Sequence, residues 1–237
     1  MLRSANDAAS ALSFNNSKEF MLLMNETAKK IGMKDSVFEN ASGLDELEYN
    51  ISTAYDMALL SAYAKKNEVF NVIASTHIHS CKTNLGSYNW VNKHKLVKSD
   101  DDFVWGKTGF TKSSGRILVS NYKKGDMDLI VVTINDSNDW NHHKMLINQL
   151  GKYSFFTVLE RGINDSRLDV SYYIYVLEDI VIPISEKEKE NIKLQFKLLD
   201  KYAYLYIYLN DKLICKRQLD IFDKSSFDGD LVIDLFK

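Results

Sequence analysis

Hydrophobic residues recur at helical spacing in the first third of the chain. From Ser17 onwards they return every three or four positions until Gly32, which stands where a helix cap belongs. A second run follows Thr53-Ala54-Tyr55-Asp56, a pattern typical of a capping box. The predicted helices of this part cover residues 8–12, 17–31, 53–64 and 69–73.

Further along, the hydrophobic period changes to that of strands. Residues 103–110, 116–122 and 129–134 are separated by short polar turns, which predicts an antiparallel meander. A helix over residues 140–158 is expected to follow. Beyond it the chain alternates apolar and polar residues, as in 192–198, and Asn210-Asp211 predicts a hairpin turn. We therefore expect an α+β domain over residues 1–162 and a β-rich domain over residues 163–237.

Composition excludes several classes of protein. The 237 residues are 45% hydrophobic, enough for a core, and carry a formal net charge of -2 with no polybasic run, which argues against a nucleic-acid partner. There is no apolar run of about 18 residues and no hydrophobic signal segment after Met1. Two cysteines, Cys81 and Cys215, are interpreted as free thiols, with a disulfide as the alternative.

Two short motifs carry the candidate chemistry, Ser4-Ala5-Asn6 and Lys107-Thr108-Gly109. Either motif alone is weak, since a Ser-x-Asn triplet usually caps a helix. Penicillin-recognising serine enzymes carry Ser-x-x-Lys, Ser-x-Asn and Lys-Thr-Gly in that order, with the third on a strand. The two motifs here have that order, and Lys107 falls on a predicted strand.

Longer segments extend the likeness. The chain resembles the serine D-alanyl-D-alanine carboxypeptidases, which are low-molecular-mass penicillin-binding proteins. The resemblance lies in the sequence segments at residues 2–9, 38–45, 52–58, 107–111 and 114–116. This resemblance implies a partial penicillin-binding/β-lactamase-like transpeptidase fold, followed by a small sandwich-like β domain. It also implies acyl-enzyme hydrolysis of peptidoglycan stem peptides ending in D-Ala-D-Ala, β-lactam binding by the full-length form, and no metal or cofactor.

The resemblance assigns a role to each motif residue. Ser4 would relay a proton to the leaving D-alanine, and Asn6 would hold the substrate amide and the general-base lysine. Lys107 is a cation suited to the substrate carboxylate, with the hydroxyls of Thr108 and Thr111 beside it. Gly109 would leave room for the substrate along the strand, and the backbone N–H of Phe110 would be one oxyanion donor.

The chain also departs from the family. The nucleophile of the family precedes Ser-x-Asn by several tens of residues, whereas Ser4 is the fourth residue here. We therefore expect an N-terminally truncated chain that lacks the Ser-x-x-Lys element, is unstable and is inactive alone. The full-length protein would act in the cell envelope, outside the cytoplasm, with peripheral membrane association. The alternatives are a non-catalytic peptide-binding remnant of the same fold and an interaction protein with coincidental motifs.

Other polar clusters receive structural interpretations. His77, His79, His142 and His143 are interpreted as surface or packing histidines, and His94 as part of a loop where the family usually has asparagine. Arg116 is equally compatible with the carboxylate pocket and with the strand surface. Tyrosines at 172–175 and 202–208 are interpreted as packing residues, with a glycan-binding face as the alternative. Residues 231–236 form either a last strand or the start of an anchor.

Overall fold

The computed structural model describes residues 1–45, 49–99, 102–125, 127–165, 171–199 and 202–226. The chain separates into two compact units, Met1–Gly151 and Lys152–Lys237. The expected last strand or anchor at residues 231–236 lies outside the described residues. None of the described helices is both long enough and apolar enough to cross a membrane.

Unit 1 combines helices with an antiparallel meander. Its helices are α1 (Asn6–Leu12), α2 (Lys18–Lys30), α3 (Ala54–Ala64), α4 (Glu68–Ser75), α5 (Leu96–Ser99) and α6 (Asp139–Leu150). Its strands are β1 (Ile78–Thr83), β2 (Gly86–Val91), β3 (Phe103–Thr111), β4 (Gly115–Lys124) and β5 (Met127–Ile134). β1 and β2 form a hairpin, and the meander has the order β3-β4-β5.

The helices begin at polar caps that the sequence supplies. The Ser17 hydroxyl accepts a hydrogen bond from the backbone N–H of Phe20, and Thr53 caps α3 in the same way. The predicted capping box is only half formed, because the buried Asp56 carboxylate accepts from the Ser36 hydroxyl at 2.7 Å and the Asp35 backbone N–H at 2.8 Å. These hydrogen bonds lower the pKa of Asp56, the Ser36 bond most. The carboxylate ties the segment after α2 to the start of α3.

The meander is covered on both faces, which places the central strand in the core. On one face Trp105 and Val119 pack with α4, where the Phe70 ring meets the Trp105 ring edge-on at 5.1 Å. On the other face, Phe103 and Tyr122 pack against α5 and α6. Burial of both faces explains why Leu118 to Tyr122 of β4 are all buried. The lysine of the Lys-Thr-Gly motif is therefore held on a strand with a rigid backing.

Unit 2 consists of two antiparallel sheets. Its strands are β6 (Tyr153–Leu159), β7 (Gly162–Asp165), β8 (Tyr172–Val176), β9 (Ile180–Ser185), β10 (Ile192–Leu199), β11 (Tyr202–Leu209) and β12 (Lys212–Asp223). The larger sheet has the order β10-β11-β12-β8-β7, and β6 pairs with β9. The core contains Ile184, Leu205 and Ile207, none of them exposed. The expected α+β fold with a sandwich-like β part is confirmed.

One predicted segment differs from the structure. The helix expected over residues 140–158 ends at Leu150, and Tyr153–Leu159 is a strand paired with Ile180–Ser185. Because that pairing is non-local, the local periodicity could not reveal it.

The expected domain boundary at 162/163 stays a prediction, while the compact units divide at Gly151/Lys152. The hairpin of β1 and β2 was not predicted, because nearly all its side chains are exposed and it has no buried face to alternate with.

Candidate active site

The fold brings the two motifs together. Lys107 lies in the middle of β3, and its Nζ donates hydrogen bonds to the Ser4 hydroxyl at 2.6 Å and to the Thr108 carbonyl at 2.5 Å. Ser4 and Lys107 are 103 positions apart in the sequence, so only the tertiary fold can create this contact. It joins the proposed proton relay to the proposed carboxylate-binding cation.

Ser4 lies in a tight turn that leads into α1. Its φ of 54° is in the left-handed region, and its backbone N–H donates to the Met1 carbonyl at 3.0 Å. A non-glycine residue in this conformation is unusual and recurs at functional sites. Asn6 is the first residue of α1 and is exposed. Within the described part of the chain, no hydrogen bond joins its side chain to Ser4 or Lys107.

The site is electropositive. Burial lowers the pKa of the Lys107 ammonium, and the nearby positive charge of Lys93 lowers it further. A partly desolvated ammonium beside another cation gains most from an anionic partner. The electrostatics therefore favour a ligand that carries a negative charge.

The remaining residues of the motif line an open strand edge. Among the described strands, β3 pairs only with β4, so its other edge is unpaired. Gly109 and Phe110 are exposed, the latter at 69%. Thr108 is half-buried, on the strand face opposite Lys107. The Thr111 hydroxyl lies within hydrogen-bond distance of Ser114 Oγ at 2.7 Å and accepts from the Ser114 backbone N–H at 3.0 Å. This edge has the geometry to add an extended peptide.

Asp45 lies near this edge, and no role was predicted for it from the sequence. Its carboxylate accepts from the Ser113 hydroxyl at 2.5 Å, in the turn between β3 and β4. Hydrogen bonds from Ser113 and Thr111 lower the pKa of Asp45. Asp45 thus fixes the turn that follows the motif strand. It lies inside one of the segments that resemble the family, residues 38–45, but nothing in the sequence indicates its hydrogen-bond partner.

Arg116 is engaged in an ion pair. Its guanidinium donates to both carboxylate oxygens of Asp139, at 3.0 Å and 2.7 Å, and Asp139 is only 2% exposed. This pairing raises the pKa of Arg116. A forked pair of this kind uses the planar geometry of arginine. Arg116 therefore anchors the start of α6 to β4 in the structure.

A buried polar cluster supports the motif strand from behind. His94 Nε2 and His143 Nδ1 lie 2.9 Å and 2.8 Å from the single hydroxyl oxygen of Ser120, and His143 Nε2 lies 3.1 Å from the Thr133 hydroxyl. Ser120 has one proton to donate, so at most one of the two imidazoles can accept from it, and the other must donate its own N–H. Burial lowers the pKa of each ring to about 4, so both rings are neutral at neutral pH.

The histidine interpretations hold in part. His94 does lie in a loop, but its ring is 1% exposed and packs in the core against the Trp140 ring at 5.1 Å. His143 is a packing residue, whereas His142 pairs with Asp136 near the surface. His79 is exposed and stacks on Trp90. The sequence alone did not reveal that His94 backs the motif strand.

Strand β4 contains a Ser-x-x-Lys spacing, at Ser120 and Lys123, although no such spacing was expected in the chain. Both residues lie on β4, where positions three apart point to opposite faces. Ser120 is buried between His94 and His143, while Lys123 is exposed. The serine and the lysine of this pair cannot meet, so it is not the nucleophile element of the family.

Comparisons with known proteins agree with the motifs. Residues 1–138 match the peptidase S11 family, described as D-alanyl-D-alanine carboxypeptidase. The carboxypeptidase DacF of Bacillus subtilis is 28% identical over 217 residues, which is 85% of this chain and 56% of the relative. The chain thus spans about half the length of that curated relative.

Solved structures share the fold. Penicillin-binding protein 5 of Haemophilus influenzae superposes with a TM-score of 0.74 at 22% identity, over 92% of this chain and 70% of that one. Penicillin-binding protein D2 of Listeria monocytogenes, in its cefotaxime-bound form, gives a TM-score of 0.56 at 26% identity over 62% of each chain. With Ser4 held against Lys107 on an open strand edge, and more than half of the residues matched, this chain belongs to the D-alanyl-D-alanine carboxypeptidase family.

Proposed function

We propose that this chain provides the substrate-binding side of a serine D-alanyl-D-alanine carboxypeptidase that trims peptidoglycan stem peptides outside the cytoplasm. The observation that supports this most directly is the Lys107–Ser4 contact of 2.6 Å beside a strand edge that no described strand pairs with. A peptide ending in D-Ala-D-Ala is extended and carries one terminal carboxylate. The edge can pair with its backbone, and Lys107 can receive its charge.

The proton route follows from the same contact. Acyl transfer releases the terminal D-alanine as an amine, which must gain a proton as the peptide bond breaks. The Ser4 hydroxyl, held by the Lys107 ammonium, can donate its proton to that amine. It would regain a proton from the general base, which by then carries the proton taken from the nucleophile. The cation makes the hydroxyl a better donor and faces the substrate carboxylate. The nucleophile and the general base would come from a Ser-x-x-Lys element, which Ser120 and Lys123 cannot supply.

A binding measurement tests the assignment of Lys107. An acylated D-Ala-D-Ala peptide is titrated into the chain by calorimetry, alongside the same peptide with a C-terminal amide. A charge-assisted hydrogen bond contributes about 1.5–3 kcal/mol, so Lys107→Ala should weaken binding of the free acid by roughly tenfold to hundredfold. The exposed Lys30→Ala on α2 is the matched control and should bind as the parent chain does. Equal affinities for acid and amide would rule out Lys107 as the carboxylate site.

Incubation with a β-lactam, followed by intact mass analysis, tests the role of Ser4. We expect the ligand to bind without a covalent adduct, because Ser4 contacts a cation and has no described base beside it. A stoichiometric adduct that disappears in Ser4→Ala would make Ser4 the nucleophile and overturn its role as a relay. Retained binding without an adduct is also what the non-catalytic binding module predicts. Turnover by a form that carries a Ser-x-x-Lys nucleophile element distinguishes the two.

A further inference from the structure

Unit 2 presents a row of tyrosines on the outside of its larger sheet. Along β11, Ala203, Leu205 and Ile207 point into the core and are fully buried. The alternate positions point the other way, and their side chains are half-buried or exposed. These outward residues are Tyr202, Tyr204, Tyr206 and Tyr208. Packing within a sandwich core therefore does not account for them.

The neighbouring strands add cations and amides to this row. Tyr204 lies between Lys197 of β10 and Gln218 of β12. The next outward residue, Tyr206, lies between Gln195 and Lys216. We call these two rows, together with Tyr202 and Tyr208, the tyrosine face.

Contacts within the face hold the rings in place. The Tyr204 hydroxyl donates to Gln218 Oε1, and the Tyr208 hydroxyl donates to Gln195 Oε1, both at 3.2 Å. Lys216 Nζ lies 4.6 Å and 5.3 Å from the ring centroids of Tyr204 and Tyr206. These pairings orient the rings, while the amide N–H groups of both glutamines remain on exposed side chains.

The charge of the face selects the kind of partner. Lys193 is paired with Asp211 at the hairpin turn, whereas Lys197 and Lys216 stand in the two central rows, which contain no carboxylate. Those rows also contain no aliphatic side chain. Leu199 and Leu213 lie only in the outer rows, beside Tyr202 and Tyr208, and Asp220 also lies beside Tyr202. A face that enters a lipid layer would have to be apolar across the central rows as well. A hydroxylated polymer that carries carboxylates matches the rings, the amides and the cations together.

We propose that the tyrosine face binds a carboxylate-bearing glycan strand. Sugar C–H faces would stack on Tyr204 and Tyr206, Lys197 and Lys216 would pair with the carboxylates, and the glutamine amides would donate to hydroxyls. The row from Tyr202 to Tyr208 spans about 20 Å at the rise of a strand, enough for several sugar units. The choice of glycan rests on the proposed function, because the stem peptides of peptidoglycan are attached to such a glycan strand.

Peptidoglycan strands with the stem peptides removed give a test that is independent of Lys107. The full chain should bind them by calorimetry, with affinity that falls as salt is added. Tyr204→Thr, Tyr206→Thr and Lys216→Gln should each weaken binding by about tenfold, because threonine keeps strand propensity and glutamine removes only charge. Tyr206→Phe should bind as the parent does. Two variants of unit 1 should also leave glycan binding unchanged: Lys30→Gln, which removes an exposed charge, and Lys107→Ala.

Several outcomes would overturn the proposal. One is that the parent chain does not bind these strands, and another is that all three weakening variants bind unchanged. Loss of binding in Lys107→Ala would place the glycan on unit 1. Binding to vesicles of anionic phospholipid, with no binding to glycan, would make the face a membrane contact. Thermal melts of each variant distinguish lost contacts from lost folding, and Lys216→Gln keeps the test valid if a tyrosine variant unfolds.

Discussion

Gly106→Ala is expected to destabilise unit 1 by about 3 kcal/mol, more than a typical surface substitution. A Cβ at this position would lie 2.2 Å from His94 Nε2 and 2.6 Å from the Val119 carbonyl oxygen. The carbonyl belongs to the paired strand β4 and cannot move without breaking the β3–β4 pairing. Urea unfolding followed by tryptophan fluorescence measures this effect, since Trp90, Trp105 and Trp140 all lie in unit 1.

The matched control is Gly109→Ala on the same strand. A Cβ there would meet Ile117 Cβ at 3.4 Å, which is ordinary contact, so the unfolding midpoint should change little. In the double variant His94→Ala/Gly106→Ala, part of the cost should be recovered, because the imidazole clash is gone while the carbonyl clash remains. Equal midpoints for the parent and Gly106→Ala would mean that β3 does not lie against His94 and Val119 as described.

Acid is expected to destabilise unit 1 well above the pH at which carboxylates are protonated. His94 and His143 have pKa values of about 4 in the folded chain, against 6.5 for a free histidine. Between these values the unfolded chain binds protons that the folded chain excludes, so the free energy of unfolding falls as the pH falls from 6.5 towards 4. In this range each histidine lowers the free energy of unfolding by about 1.4 kcal/mol for each unit by which the pH falls.

The groups around the two rings set the size of this effect. Burial lowers the pKa of His94 most, a proton on His143 and the charge of Lys107 lower it further, and Asp139 opposes them. Asp139 and Asp136 raise the pKa of His143, although burial outweighs both. Urea midpoints at pH 7, 6 and 5, read from tryptophan fluorescence, should fall steeply in the parent chain. The slope should be about halved in His94→Asn, and a slope unchanged by this substitution would contradict the assignment.

Sequence patterns predicted the elements that have one buried and one exposed face. The strand Ile192–Leu199 alternates regularly because its inner residues face the core of unit 2, and the Asn210-Asp211 turn follows from two residues that tolerate positive φ. The hairpin of β1 and β2 has no buried face, so its residues show no alternation of apolar and polar positions from which strands could be predicted. Tyr153–Leu159 continued the apolar spacing of α6, and its identity as a strand depends on a partner more than twenty residues away.

Only the motif residues of the candidate site could be predicted from the sequence. Ser4 and Lys107 were paired in advance because their order resembles that of a known family, and the structure places them in contact. Asp45 and the buried pair of His94 and His143 were not found, because each acts through a residue distant in sequence. A histidine in a polar loop segment gives no sign of its burial. Tertiary contacts of this kind leave no periodic signal.

One edge of β3 pairs with none of the described strands, and this affects how the protein behaves at high concentration. An edge left open for a peptide presents the same row of backbone donors and acceptors to the corresponding strand of another copy. Phe110, 69% exposed at this edge, adds an apolar side chain that favours such self-association. A ligand that occupies the edge would therefore compete with dimerisation, so solubility should rise when the site is filled.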